Sequence, residues 1–246
     1  MGYVNLDTMN YWNLLWLDDY LTGHKGFICG GCFKNIMNKE KVKDLDIFFR
    51  NKTDWEDACM YFDEQTPGYG FDEDTLSYED ATWLFHYENS KVKAYKHKET
   101  EMVIELCCSV FGTPEEVLNN FDFTITKFAY YKEEVEDETG AEISDELKEL
   151  VDLGIYTEEE IKNRKPETHW ENRILCHESF FEHLHMHRLV IDDQILFPMS
   201  TLERMFRYVK YGYHPCKETK LKIAKALNEM DERAIEVSES LYDGMD

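Results

Sequence analysis

Gly26-Phe27-Ile28-Cys29-Gly30-Gly31-Cys32-Phe33-Lys34-Asn35, followed shortly by Lys43-Asp44-Leu45-Asp46-Ile47-Phe48-Phe49, is the stretch on which the fold turns. An apolar run stops at a glycine pair, a short helical segment follows, and two carboxylates then stand one residue apart at the head of a second apolar run. Successive side chains of a strand point to opposite faces, so Asp44 and Asp46 share one face while Leu45 and Ile47 take the other. Two hard oxygen donors held that way suit Mg²⁺ or Mn²⁺; Mg²⁺ binds through a few carboxylates and completes its shell with water and substrate phosphates. Gly30 and Gly31 have no Cβ, so the backbone can turn tightly there and bring its N–H groups towards a phosphate at the start of the next helix.

Two further stretches extend that reading. Phe121-Asp122-Phe123-Thr124-Ile125 sets one aspartate among apolar residues in a segment of strand propensity. A carboxylate buried there needs compensation. Phosphoryl transfer with two metal ions calls for a third carboxylate beside the first pair, and Asp122 is the candidate, with Glu105 as its rival. Between Ser200 and Gly212, Arg204, Arg207 and Lys210 recur at three-residue spacing, a cationic stripe in an otherwise acidic chain. Arginine can grip phosphate oxygens bidentately.

Cys29-Gly30-Gly31 with Asp44-Leu45-Asp46-Ile47 resembles the signature of the DNA polymerase β-like nucleotidyltransferase superfamily. The wording is closest to the head domain of tRNA nucleotidyltransferases and bacterial poly(A) polymerases, whose pattern is Gly-Gly-x-apolar-Arg-Asp; here Lys34 stands for the arginine and Asn35 for the aspartate. Asp122-Phe123-Thr124 is similar to the end of their Arg-Arg-Asp-Phe-Thr motif, with Asn120 and Phe121 where the arginines stand. The Ser200–Gly212 helix is similar to the arginine-bearing helix after their head. The resemblance implies an α+β fold: a nucleotidyltransferase-type mixed β-sheet flanked by helices, with a C-terminal helical part. It implies Asp44, Asp46 and Asp122 as catalytic residues and ligands of Mg²⁺ or Mn²⁺. Gly30, Gly31, Lys34, Arg204, Arg207 and Lys210 would bind the nucleotide. The implied reaction moves a nucleoside monophosphate from an NTP such as ATP to an acceptor hydroxyl on an RNA end, a protein or a small molecule, releasing pyrophosphate. The departures at Lys34, Asn35 and Phe121 motivate the alternative of a catalytically inactive module that keeps the fold for binding or regulation.

The 246 residues are 43% hydrophobic and 14% aromatic, enough for a packed core. A formal net charge of −24 argues against broad nonspecific nucleic-acid binding, because phosphate attraction dominates that affinity. No apolar run of about 18 residues suggests a membrane span, no signal peptide is visible, and the expected compartment is the cytoplasm. Seven cysteines without a framework suggest free thiols; Cys29 and Cys32 formally match a redox or zinc half-site, the weaker reading beside the turn. The expected organisation is a catalytic head over 1–135, an acidic insertion or linker over 136–171 and a C-terminal helical region over 172–246.

Periodicity predicts an amphipathic helix over 4–22, strands over 27–29 and 44–49, and helices from Cys32 and over 51–62, the latter capped by Thr53. It further predicts a hairpin from Val92 to Cys107 and a helix opened by Thr113 and Pro114 with Glu116 completing a capping box. Helices are expected over 145–153, 158–162 and 217–239, and one capped by Ser200.

Overall fold

The computed structural model describes residues 2–68, 76–136, 153, 168–191 and 195–230. The chain divides into two compact units, residues 1–131 with 174–246, and residues 132–173.

The larger unit is built on one mixed sheet. The sheet's strands are β1 (Tyr3–Leu6), β2 (Phe27–Cys29), β3 (Asp44–Phe49), β4 (Trp83–Glu88), β5 (Val92–His97), β6 (Val103–Phe111), β7 (Phe128–Glu136) and β8 (Thr168–His177), the last two belonging to the larger unit over 128–131 and 174–177. They lie in the order β1-β8-β7-β2-β3-β6-β5-β4. β3 and β6 run parallel; β1 with β8, β2 with β3 and β7, and β5 with β4 and β6 are antiparallel. The helices are α1 (Cys32–Met37), α2 (Lys52–Asp63), α3 (Pro114–Leu118), α4 (Phe180–His185), α5 (Pro198–Lys210) and α6 (Lys217–Asn228). A two-stranded pair, β9 (Arg188–Leu189) with β10 (His214–Pro215), ties the last helices together. This is the α+β architecture of a mixed sheet flanked by helices, with helices at its C-terminal end.

Alternation along β3 sorts its side chains as its sequence demands. Leu45, Ile47 and Phe49 are fully buried, while Asp44 is exposed and Asp46 partly so. Phe33 of α1 stacks on Phe128 at 4.3 Å, and Phe128 lies 4.9 Å from Phe180, joining the first turn, β7 and α4 in one apolar cluster. At about 25 cal/mol for each Å² of apolar surface removed from water, such packing is what holds the turn between β2 and α1 in place.

Several local expectations are met. β2, α1, β3 and the β5–β6 hairpin stand where predicted, and Thr113 accepts from the Glu116 N–H while the Glu116 carboxylate accepts from the Thr113 N–H, the expected capping box. Others are corrected. Residues 4–22 are β1 followed by 3₁₀ turns over Thr8–Asn10 and Trp12–Tyr20. Leu14, Leu17 and Tyr20 are the buried positions, and their spacing of three is the 3₁₀ period rather than 3.6. α2 is capped by Asn51, whose side chain accepts from the Asp54 N–H, not by Thr53. α5 starts on Pro198, which suits a first helical position, so Ser200 lies inside it. Asp122 sits in a bend before a 3₁₀ turn over Thr124–Thr126, not in a strand. Glu133, Glu134 and Glu136 belong to β7, and β4 and β8 were not anticipated. The helices expected at 145–153 and 158–162 fall, Leu153 apart, outside the described residues, as does the end of the one expected at 217–239.

The smaller unit is described only at its ends. There Thr168 donates to Glu134 at 2.7 Å, and Arg173 pairs with Glu133 and Glu171, each at 3.0 Å.

Candidate active site

The turn leaving β2 is shaped by Gly30, whose φ of +101° is open to glycine and strained for other residues. Its N–H donates to the Phe128 carbonyl at 3.1 Å. A Cβ there would lie 3.2 Å from Asp46 Oδ2 and 3.1 Å from Phe121 Cε1, so the backbone runs directly against the carboxylate. At Gly31, whose φ of −69° is ordinary, a Cβ would lie 3.2 Å from the Tyr208 hydroxyl.

Asp46 stands opposite Glu105 in the parallel β3–β6 register, and opposite Cys29 on its other side. Burial raises the Asp46 carboxyl well above the usual carboxylate range, and the charges of Glu105 and Asp44 and a hydrogen bond with Glu105 add to it. Glu105 also accepts from the Tyr87 hydroxyl at 2.6 Å. Asp44, two residues before Asp46, is on the same face of β3. Among the described residues no salt bridge reaches Asp44, Asp46 or Glu105, and no group of three His, Cys, Asp or Glu side chains is arranged to hold a metal ion.

Asp122 is 7% exposed and its carboxylate is engaged. Oδ2 accepts from Arg204 Nε at 2.9 Å and Nη2 at 2.7 Å, and Oδ1 accepts from the Phe123 N–H at 3.0 Å. The compensation that a buried aspartate requires thus comes from α5. Arg204 enters the head; Arg207 and Lys210 are exposed. Lys34 is buried, pairs with Glu40 at 2.9 Å and lies 5.5 and 5.7 Å from the ring centres of Tyr211 and Tyr213. The structure therefore brings together Gly30, Gly31 and Asp46, with Asp44 alongside, and joins Asp122 to Arg204. It sets Lys34 in a pair of its own and leaves Arg207 and Lys210 on the surface.

Burial pushes the thiols of Cys29, Cys32 and Cys107 well above their ordinary value, with nearby acidic groups adding to it. Thiols held protonated are poor nucleophiles and poor metal ligands.

Two residues escaped the sequence reading. Tyr208 lies one helical turn after Arg204, and that i, i+4 spacing was the available signal. Tyr87 lies on β4, whose register no local pattern announced. Glu105 was weighed as a rival to Asp122, and it is the carboxylate found beside Asp46.

Residues 5–187 match a family model described as Gad2, Gabija anti-defense 2 family protein. No curated protein matches the chain. Among solved structures the chain is similar to a CCA-adding enzyme in complex with ATP, at 12% identity and a TM-score of 0.48, over 97% of this chain and 50% of that one. It is also similar to the Thermotoga maritima CCA-adding enzyme complexed with tRNA, at 13% and 0.45, over 93% and 46%. The Bacillus stearothermophilus CCA-adding enzyme in complex with CTP matches at 13% and 0.43, over 85% and 40%. The chain thus spans about half the length, or less, of the solved structures it matches. Among the described residues no helix is long and apolar enough to cross a membrane.

Proposed function

This chain belongs to the Gabija anti-defense 2 family, and on that premise we propose that it is a metal-dependent nucleotidyltransferase whose reaction serves to counter that defence. The observation that carries the reading is the carboxylate group on adjacent parallel strands, Asp44 and Asp46 with Glu105 beside them, set against the Gly30 turn with no cation of the described chain opposite it. Mg²⁺ is commonly held by one or two carboxylates plus substrate phosphates, and Asp44 with Asp46 is a donor pair of that kind. When bound, Mg²⁺ or Mn²⁺ would offset the negative charge that develops as the phosphoryl group transfers.

The other roles belong to side chains of the chain itself. The Gly30–Gly31 backbone lets the NTP triphosphate approach, since no Cβ stands in its way. Arg204, fixed by Asp122, presents its remaining N–H donors to a phosphate, so Asp122 acts by positioning Arg204. Arg207 and Lys210 add cationic charge at the rim. Lys34 would reach substrate only on leaving Glu40. An acceptor hydroxyl attacks the α-phosphate in line, and pyrophosphate leaves. The acceptor is an RNA end, a protein or a small molecule.

A second reading keeps the fold as a catalytically inactive binding module, favoured by the pairing of Lys34 and Arg204 within the chain. The test is to supply each NTP labelled on its α-phosphate, with Mg²⁺, together with an extract of cells that carry the Gabija system. Label transfer with pyrophosphate release that Asp44→Ala/Asp46→Ala abolishes is the expected result. Loss of Gabija defence that persists in the double variant, with no transfer from any NTP, would favour the inactive module.

A further inference from the structure

We infer that the Tyr208 hydroxyl is a substrate-contacting group, donating a hydrogen bond to a non-bridging oxygen of the NTP triphosphate where it meets the Gly30–Gly31 turn. The inference rests on the nucleotidyltransferase reading and adds to it a residue that no motif points to.

The phenol oxygen faces Gly31 so closely that a Cβ there would be 3.2 Å away, which puts the hydroxyl at the turn itself. The ring is held from three sides: edge-on to Phe123 at 5.7 Å, to Tyr211 at 6.2 Å and to Tyr213 at 6.1 Å between centroids. Its position is therefore set by packing before any substrate arrives, which is what an effective charge-stabilising donor requires.

The hydroxyl has no hydrogen-bond partner among the described residues. Tyr208 is half-buried, so its hydroxyl is left able to donate to an acceptor from outside the chain. An anionic or strongly polar acceptor suits the site, because Arg204, pinned by Asp122 one turn earlier on α5, acts on the phenol with its positive charge. Burial, then the charge of Asp122, raises the phenol above its ordinary value, with Arg204 opposing and Asp46 adding. The group is thus a proton donor at neutral pH rather than a base.

The inference is tested by calorimetric titration of the wild type and Tyr208→Phe with each of the four NTPs and the corresponding nucleoside monophosphates, in Mg²⁺. A hydrogen bond to a charged oxygen is worth about tenfold or somewhat more in affinity, so NTP binding is expected to weaken by about that factor in Tyr208→Phe. Monophosphate binding and the thermal midpoint stay unchanged, since the ring and its packing remain. A Tyr208→Phe protein that binds NTPs as tightly as the wild type, or that loses NTP and monophosphate affinity equally, overturns the inference and leaves the nucleotidyltransferase reading standing. A wild type that binds no NTP overturns both.

Discussion

The two charged regions of the head are compensated in opposite ways. On the helical side each entering cation has a carboxylate of the same chain against it: Arg204 holds Asp122 at 2.7 Å and Lys34 holds Glu40 at 2.9 Å. On the sheet side, among the described residues, the carboxylates have one another, Asp46 hydrogen-bonded to Glu105 with Asp44 adjacent, and the Tyr87 hydroxyl. Burial first, then the neighbouring charges of Glu105 and Asp44, hold the Asp46 carboxyl well above the usual carboxylate range. Arg204 and Lys34 each contribute an ion pair to the fold, whereas holding the β3–β6 carboxylates beside one another costs it stability.

The largest effect separating the two sides comes from the ion pair. Arg204→Ala leaves Asp122 buried without its partner and is expected to destabilise the protein by about 3–5 kcal/mol in a denaturant titration. Asp122→Ala should cost clearly less, because the Arg204 side chain is 41% exposed and can turn to solvent. Equal losses would mean that the pair is not what compensates Asp122.

A smaller effect is expected at the junction of the two sides. Gly30→Ala meets a φ of +101° and the Asp46 and Phe121 side chains at 3.2 and 3.1 Å. The expected loss is about 1–3 kcal/mol. A neutral result would show that the turn can relax away from the carboxylate.

The smallest effect has the opposite sign. A carboxyl whose folded-state pKa is raised binds its proton more tightly when folded, so stability falls as pH rises from the ordinary carboxylate range through the raised value. Asp46→Asn removes that fall. Thermal melts with chelator, from about pH 4 to about pH 8, should show the variant losing less of its midpoint than the wild type as pH rises, and standing above it at the alkaline end. A variant less stable than the wild type at the alkaline end would mean that Asp46 supports the fold.

What the sequence revealed was local. The glycine turn, the alternation of β3, the β5–β6 hairpin and the Thr113 capping box each rest on residues a few positions apart, where conformational preference and hydrogen bonding act without the rest of the chain. What it hid depends on distant partners. β1 forms because it pairs with β8, far along the chain, with Tyr3 opposite His177. Glu105 meets Asp46 only through the parallel register of β3 and β6. The Asp122–Arg204 pair joins residues 82 positions apart; the need for compensation at Asp122 was legible, but its source was not. Over residues 4–22 the apolar content suggested an α-helix, and the spacing of Leu14, Leu17 and Tyr20 fits a 3₁₀ turn better.

The measurement closest to the central claim is a calorimetric titration of the four NTPs, with and without Mg²⁺, into the wild type and into Asp44→Ala/Asp46→Ala. Binding of at least one NTP that requires Mg²⁺ and is lost in the double variant is the expected result. Absence of binding to every NTP at millimolar concentration, or binding that the double variant retains undiminished, would contradict the claim that the β3 carboxylates are a metal-dependent nucleotide site.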